Sequence, residues 1–151
     1  AVDHIEDESI DLLHIDGLHT YDAVQEDFTN WYPKVRPGGI ILFHDIEARQ
    51  SDFGVWKFWA ELESQYDTFA FQHGFGLGVL RKPGGADSGN AHPLLELLFE
   101  GDEQEHHKLR QLYIHNSEYL EARNKARKVR WRPNHGGDGK AGTPPRQKDG
   151  D

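Results

Sequence analysis

Ile10-Asp11-Leu12-Leu13-His14-Ile15-Asp16-Gly17-Leu18-His19 and, one helix-length further on, Gly38-Gly39-Ile40-Ile41-Leu42-Phe43-His44-Asp45 are two strand-like runs that each end in an aspartate. Residues 10–15 are almost continuously apolar and β-prone, as a strand buried on both faces of a parallel sheet should be. Residues 40–44 read the same way. Between the runs, Thr20 can cap a helix and Asp22 suits the positive end of its dipole. Tyr21, Val24, Phe28, Trp31 and Val35 then recur at helical spacing. Pro33 stands near the end of that helix, and Pro37-Gly38-Gly39 interrupts the chain before the second strand. Strand, helix and strand within about 35 residues predict a right-handed βαβ unit with parallel strands. Open α/β folds place ligands beyond the carboxyl ends of their strands. Asp16, His19, His44 and Asp45 are therefore expected on one functional edge.

Beyond this unit, Ser51 or Asp52 is placed to cap a helix whose apolar stripe is Val55, Trp56, Trp59, Leu62 and Tyr66. Residues 68–71 and 78–80 read as short strands around a glycine-rich turn, an antiparallel hairpin. Residues 83–92 have the composition of a linker. A short apolar helix is predicted at 93–99 and a longer one over 102–129, with Leu109, Leu112, Tyr113 and Leu120 on one face. From Pro133 onward Gly, Pro, Lys, Arg and Asp dominate, which predicts disorder. The resulting division is a sheet-bearing part at 1–82, a linker at 83–92, a helical extension at 93–129 and a basic tail at 130–151.

Composition narrows the chemistry. With 151 residues the chain holds one domain at most, and it has no cysteine, which excludes disulfides, thiolate metal sites and a cysteine nucleophile. That absence fits a cytoplasmic setting. No apolar run reaches the ~20 residues of a membrane span. The chain has no methionine and opens on Ala1-Val2-Asp3-His4, which reads as a piece of a longer protein. Residues 1–120 carry 8 Lys/Arg against 22 Asp/Glu, whereas residues 121–151 carry 9 against 4. The acidic body argues against nucleic-acid binding, which requires cationic surface. The basic tail is expected to be a solvated helix end running into disorder.

Three groups could carry chemistry. In the strand-end cluster, Asp16 and Asp45 offer hard oxygen ligands and His44 a nitrogen. Carboxylates with water suit magnesium or manganese, and a histidine shifts preference toward manganese, iron or zinc. His19, in the loop above Asp16, could act as a general base near neutral pH. By spacing alone, the two aspartates would serve equally well as caps for loop amides. Gly74-Phe75-Gly76-Leu77-Gly78 lacks the following helix that a phosphate loop requires, so these glycines are expected to shape the hairpin. His106-His107 lacks the i, i+4 spacing of a helical metal pair, His14 reads as packed or hydrogen-bonded within its strand, and His73 belongs to the hairpin, from which it could approach the sheet edge.

Taken together, residues 15–21, Asp27, Trp31, Pro33, Pro37-Gly38-Gly39 and Phe43-His44-Asp45 resemble the C-terminal half of a class I S-adenosylmethionine-dependent methyltransferase. More narrowly, the match is to a bacterial group often found beside or fused to glycosyltransferases. Asp52-Phe53-Gly54-Val55-Trp56 and residues 73–78 extend the likeness to about residue 82. The resemblance implies an α/β fold, the C-terminal part of a Rossmann-like seven-stranded sheet ending in an antiparallel hairpin. Residues 10–15 and 40–44 would be its fourth and fifth strands, and residues 68–80 its last two.

Related catechol-type and sugar O-methyltransferases hold a divalent metal through an Asp after strand four and an acidic or amide pair after strand five. By motif position these become Asp16, His44 and Asp45, with His44 where relatives usually have a carboxylate. His19 falls at the catalytic lysine of the catechol-type enzymes, which makes it the expected base. The implied activity is O-methylation of a sugar or other small hydroxylated metabolite. S-adenosylmethionine would be the donor, with magnesium or manganese as the metal. The main grip on the donor, a glycine-rich loop after strand one and an acid ending strand two, would lie upstream of Ala1. The 151-residue chain alone is thus expected to be inactive. The other readings of the cluster are a metal-dependent hydrolase and a non-catalytic module attached to a glycosyltransferase. Neither a nucleic-acid nor a membrane partner is expected.

Overall fold

The computed structural model describes residues 2–84 and 92–130. Most of the linker expected at 83–92, and the tail after Arg130, lie outside the described residues. A 3-10 turn at Val2–His4 leads to β1 (Ile10–Ile15), α1 (Tyr21–Trp31), a second 3-10 turn at Tyr32–Lys34 and β2 (Val35–His44). These are followed by α2 (Val55–Glu63), β3 (Asp67–Phe71), β4 (Leu77–Arg81), α3 (Pro93–Glu100) and α4 (Glu103–Arg130). The chain divides into two compact units, one from Ala1 to Glu118 and the other beginning at Tyr119. In the described part of the second, Lys125 pairs with Glu121 one helical turn away.

The fold is α/β, as the sequence predicts. The sheet order is β1-β2-β4-β3, with β1 and β2 parallel and β4 antiparallel to both its neighbours. Leu12, Leu13, His14 and Ile15 lie opposite Ile40, Ile41, Leu42 and Phe43. This register brings the carboxyl ends of the two parallel strands level, so the residues just beyond them become neighbours.

The period-2 alternation of strand side chains sorts the core into two layers. Ile41 and Phe43 of β2 and Leu80 of β4 face Val24 and Phe28 of α1 and Val55, Phe58, Trp59 and Leu62 of α2. Ile40 of β2, Val79 of β4 and Phe69 and Phe71 of β3 face the other way, toward Leu98 of α3 and Leu109 of α4. Trp59 lies so close to β4 that a Cβ at Gly78 would fall 2.6 Å from its ring, so only glycine fits there. At the edge of the first layer Tyr32 packs against Phe28 and Tyr66. Burial, reinforced by hydrogen bonding with Tyr66, pushes the Tyr32 phenol up to about 12.

Several local expectations need correction. The second strand begins at Val35, not Ile40, and runs through Pro37-Gly38-Gly39. Gly38 has φ of 73° and donates its N–H to the Lys82 carbonyl, while the Lys82 N–H donates to the Gly39 carbonyl. These cross-strand bonds hold the segment in the ladder, and they pull Val35 out of the α1 stripe. The irregularity appears as a register shift between Ile10 and Leu12. Neither Ser51 nor Asp52 caps α2. Its N-cap is Gly54, with no side-chain cap. Phe58 takes the buried place expected of Trp56, which lies between Arg49 and Lys57 with the Arg49 guanidinium 4.5 Å from its ring centre. On α4 only Leu109 of the expected stripe is buried, while Leu112, Tyr113 and Leu120 are exposed.

Candidate functional site at the β1 and β2 rim

β1 ends at Ile15 and β2 at His44, so Asp16 and His44 are the next pair in the parallel register. His44 Nδ1 is 3.3 Å from Asp16 Oδ1 and 3.0 Å from Asp45 Oδ1. His19 returns from the loop after β1, its Nε2 3.2 Å from Asp45 Oδ2 and 3.7 Å from Asp16 Oδ1. The four residues singled out in the sequence thus converge on one point. Asp16, His19 and His44 offer donor atoms all within 4.8 Å of one another, and Asp45 touches both imidazoles from below.

Backbone geometry explains the convergence. Asp45 has φ of 61°, a left-handed conformation that aspartate tolerates better than most residues. Its N–H donates to the Gly76 carbonyl, and the Glu47 N–H donates to the Phe75 carbonyl. The β3–β4 turn therefore holds the main chain just past β2 while the Asp45 carboxylate is turned inward, leaving the residue only 6% exposed. Glycines 74 and 76 shape that turn, with φ of 66° and 83°, and no helix follows it.

His19 is fixed from two sides. Its ring stacks on Phe53, with centroids 4.7 Å apart and planes 11° from parallel. Its carbonyl accepts from the Gly54 N–H at 2.8 Å. A Cβ at Gly54 would collide with the Tyr21 backbone, so the glycine lets the α2 entry press against the α1 entry.

No Lys or Arg pairs with Asp16 or Asp45 among the described residues; the groups beside their carboxylates are the two imidazoles. Asp45 Oδ1 and His44 Nδ1 are buried and make no hydrogen bond, although they lie 3.0 Å apart. Buried polar atoms are normally satisfied, and a free pair inside a cluster of ligand-type groups marks a place built for something else.

Residues 1–46 match a protein-family model described as a methyltransferase domain, and they include all four cluster residues. This part of the chain is methyltransferase-like. A wider likeness reaches past the methyltransferase-like segment. An uncharacterized protein of Sinorhizobium fredii is 51% identical over 80 residues, which are 53% of this chain and 9% of that protein. The chain therefore spans only about a tenth of that relative's length. A crystal structure of a Corynebacterium glutamicum protein is similar with a TM-score of 0.45 at 15% identity, over 57% of this chain and 44% of that one.

Other histidines lie apart from the cluster in the methyltransferase-like segment, with one near exception. His14 sits one position back on β1, its ring edge-on to that of His44 at 6.3 Å between centroids. His73 packs against Phe71 and Tyr113, and His106 hydrogen-bonds the Leu97 carbonyl, both structural roles. Sequence reasoning did not single out Phe53 for the site. Its one signal was membership in the Asp52-to-Trp56 stretch that extends the resemblance.

Proposed function

We propose that this chain is the acceptor-side portion of an S-adenosylmethionine-dependent O-methyltransferase acting on a sugar or other small hydroxylated metabolite. The observation that carries this reading is the convergence of Asp16, His19, His44 and Asp45 at the strand ends, inside the segment matched to a methyltransferase domain. In methyl transfer, the acceptor oxygen attacks the methyl carbon in line with the departing sulfur. The C–O bond forms as the C–S bond breaks, and the hydroxyl loses its proton. Proximity and alignment supply much of the acceleration.

The residues present suit the acceptor's half of this chemistry. Asp16 is half exposed at the rim and can accept a hydrogen bond from the incoming hydroxyl. The donor set and its two unsatisfied buried atoms also fit a divalent cation. Asp16, His44 and Asp45 would hold it, and it would lower the pKa of an acceptor hydroxyl. The Nε2 lone pair of His19 can take the acceptor's proton or serve a cation, and one nitrogen cannot do both.

The donor's main grip would come from a further strand beside β1. Among the described residues no strand pairs with the outer edge of β1, and Leu12 is 58% exposed there, opposite Ile40. A glycosyltransferase neighbour is the partner that the sequence resemblance suggests. Among the described residues, no helix is long and apolar enough to cross a membrane.

The deciding experiment is transfer of labelled methyl from S-adenosylmethionine to hydroxylated acceptors by the whole protein. Asp16→Ala is expected to lower the rate about 10- to 100-fold, within the range of a lost acid–base or metal-binding group. Full activity in that variant would shift the reading to a non-catalytic module docked on a glycosyltransferase.

A further inference from the structure

Asp16, His19 and His44 each bring a donor atom within 4.8 Å of the others, the spread of ligands around one ion. Donor atoms about 2.1 Å from one ion are about 3.0 Å apart along an octahedral edge and about 3.4 Å along a tetrahedral one. The imidazole nitrogens and carboxylate oxygens here are separated by 3.0, 3.2, 3.3 and 3.7 Å. Hydrogen bonding does not account for the whole arrangement, because His44 Nδ1 and Asp45 Oδ1 have no partner. Charge points the same way. Two carboxylates, one of them on a residue only 6% exposed, share this spot without a Lys or Arg between them among the described residues. A buried carboxylate is costly unless paired or bound to metal.

We infer that the rim is a site for a first-row transition cation such as zinc or manganese, held by Asp16, His19 and His44, with Asp45 against both imidazoles. His19 is one of its ligands rather than a free base. The inference deepens the proposed function and rests on it only in making this cation part of the acceptor site. Magnesium favours an all-oxygen shell and gives up its waters reluctantly, whereas imidazole nitrogens suit zinc, iron and related ions. The imidazoles of His19 and His44 therefore turn the preference of the site away from magnesium. The Phe53 stack and the Gly54 N–H to His19 carbonyl bond hold His19 in place at the rim.

The test is direct binding to the full chain after chelator treatment, with no activity needed. Calorimetry and chelator competition with zinc, manganese and magnesium chlorides should show one tight transition-metal site, with zinc binding at least 100-fold more tightly than magnesium. His19→Gln and His44→Gln should each weaken zinc about 100-fold, with helical content and Tm unchanged by circular dichroism. If either variant unfolds, the visible absorption of cobalt(II) bound to the unaltered chain decides instead, since a shell with two imidazoles gives a different band from an all-oxygen shell. Equal affinity for magnesium and zinc would overturn the inference. So would a His19→Gln variant that binds zinc as well as the parent, or an all-oxygen cobalt spectrum. None of these outcomes depends on methyl transfer, so an inactive protein with a tight zinc site would fail the functional reading and keep this one.

Discussion

Phe43→Ala is expected to lower the unfolding free energy by about 3–5 kcal/mol, the range for truncating a fully buried aromatic residue. Phe43 has no exposed surface and lies within 5.5–6.4 Å, ring centre to ring centre, of Phe28, Phe58 and Trp59. It therefore joins β2 to α1 and α2 at once, and the helices cannot close over the gap without losing their packing on Ile41 and Leu80. Domains are stable by only about 5–15 kcal/mol, so the change takes a large share of the total. Urea titration followed by circular dichroism checks it through a lowered midpoint at unchanged slope. A loss under 1 kcal/mol would mean that the two helices hold the sheet without this residue. The same substitution would also loosen the site, because His44 and Asp45 follow Phe43 directly.

If the proposed function holds, Asp45→Asn is expected to lower methyl transfer by the whole protein about 100-fold, on the scale of a lost support for site imidazoles, while leaving the fold intact. Asparagine accepts the φ of 61° about as readily as aspartate, so the backbone has no reason to move. What disappears is the second acceptor oxygen and the negative charge. In the parent protein the Asp45 carboxylate reaches His19 through Oδ2 and His44 through Oδ1. An amide offers one oxygen and places N–H groups against the other imidazole, disturbing both histidines at once. Asp45→Val is the contrasting variant. A β-branched side chain in the left-handed region adds about 1–2 kcal/mol of backbone strain, so it should lose stability as well as activity. Rate assays and thermal melts on the pair separate the two effects. An active Asp45→Asn enzyme would remove Asp45 from the site.

The parts of the fold that were legible in the sequence are those decided by continuous local patterns. Residues 10–15 and 40–43 both form strands from their apolar runs, although the burial expected on both faces of residues 10–15 is not met, since Asp11, Leu12 and His14 are exposed. The residues following each run are polar enough to mark an edge. The hairpin was legible because its glycines lie between two β-prone runs and Pro83 follows. The errors share a cause. Pro37-Gly38-Gly39 looks like a break until the Lys82 backbone arrives from more than forty residues away to complete the ladder. Gly54 starts α2 because the His19 carbonyl and the Tyr21 backbone meet it there, not because of its own side chain. On α2, period 3.6 allows Phe58 as readily as Trp56 beside Val55 and Trp59, and only the tertiary partners choose between them. The site follows the same rule. Its four residues could be named from strand ends, whereas the burial of Asp45, the tilt of its backbone and the Phe53 ring beneath His19 depend on contacts made by the hairpin and the α2 entry.

The two borders of the sheet are not alike. On β3, the Arg110 side chain donates to the Ala70 carbonyl and its guanidinium lies 4.5 Å from the centre of the Phe69 ring, so that border is already occupied by α4. Among the described residues no strand pairs with the outer edge of β1, where Leu12 and His14 are exposed. The sheet therefore has a polarity of growth: a new strand can add at β1 and meets a guarded border at β3. A polypeptide supplying a strand for β1 should raise the solubility of this chain when the two are produced together. Produced alone, the chain should associate through that same border, since an exposed strand edge is a template for pairing.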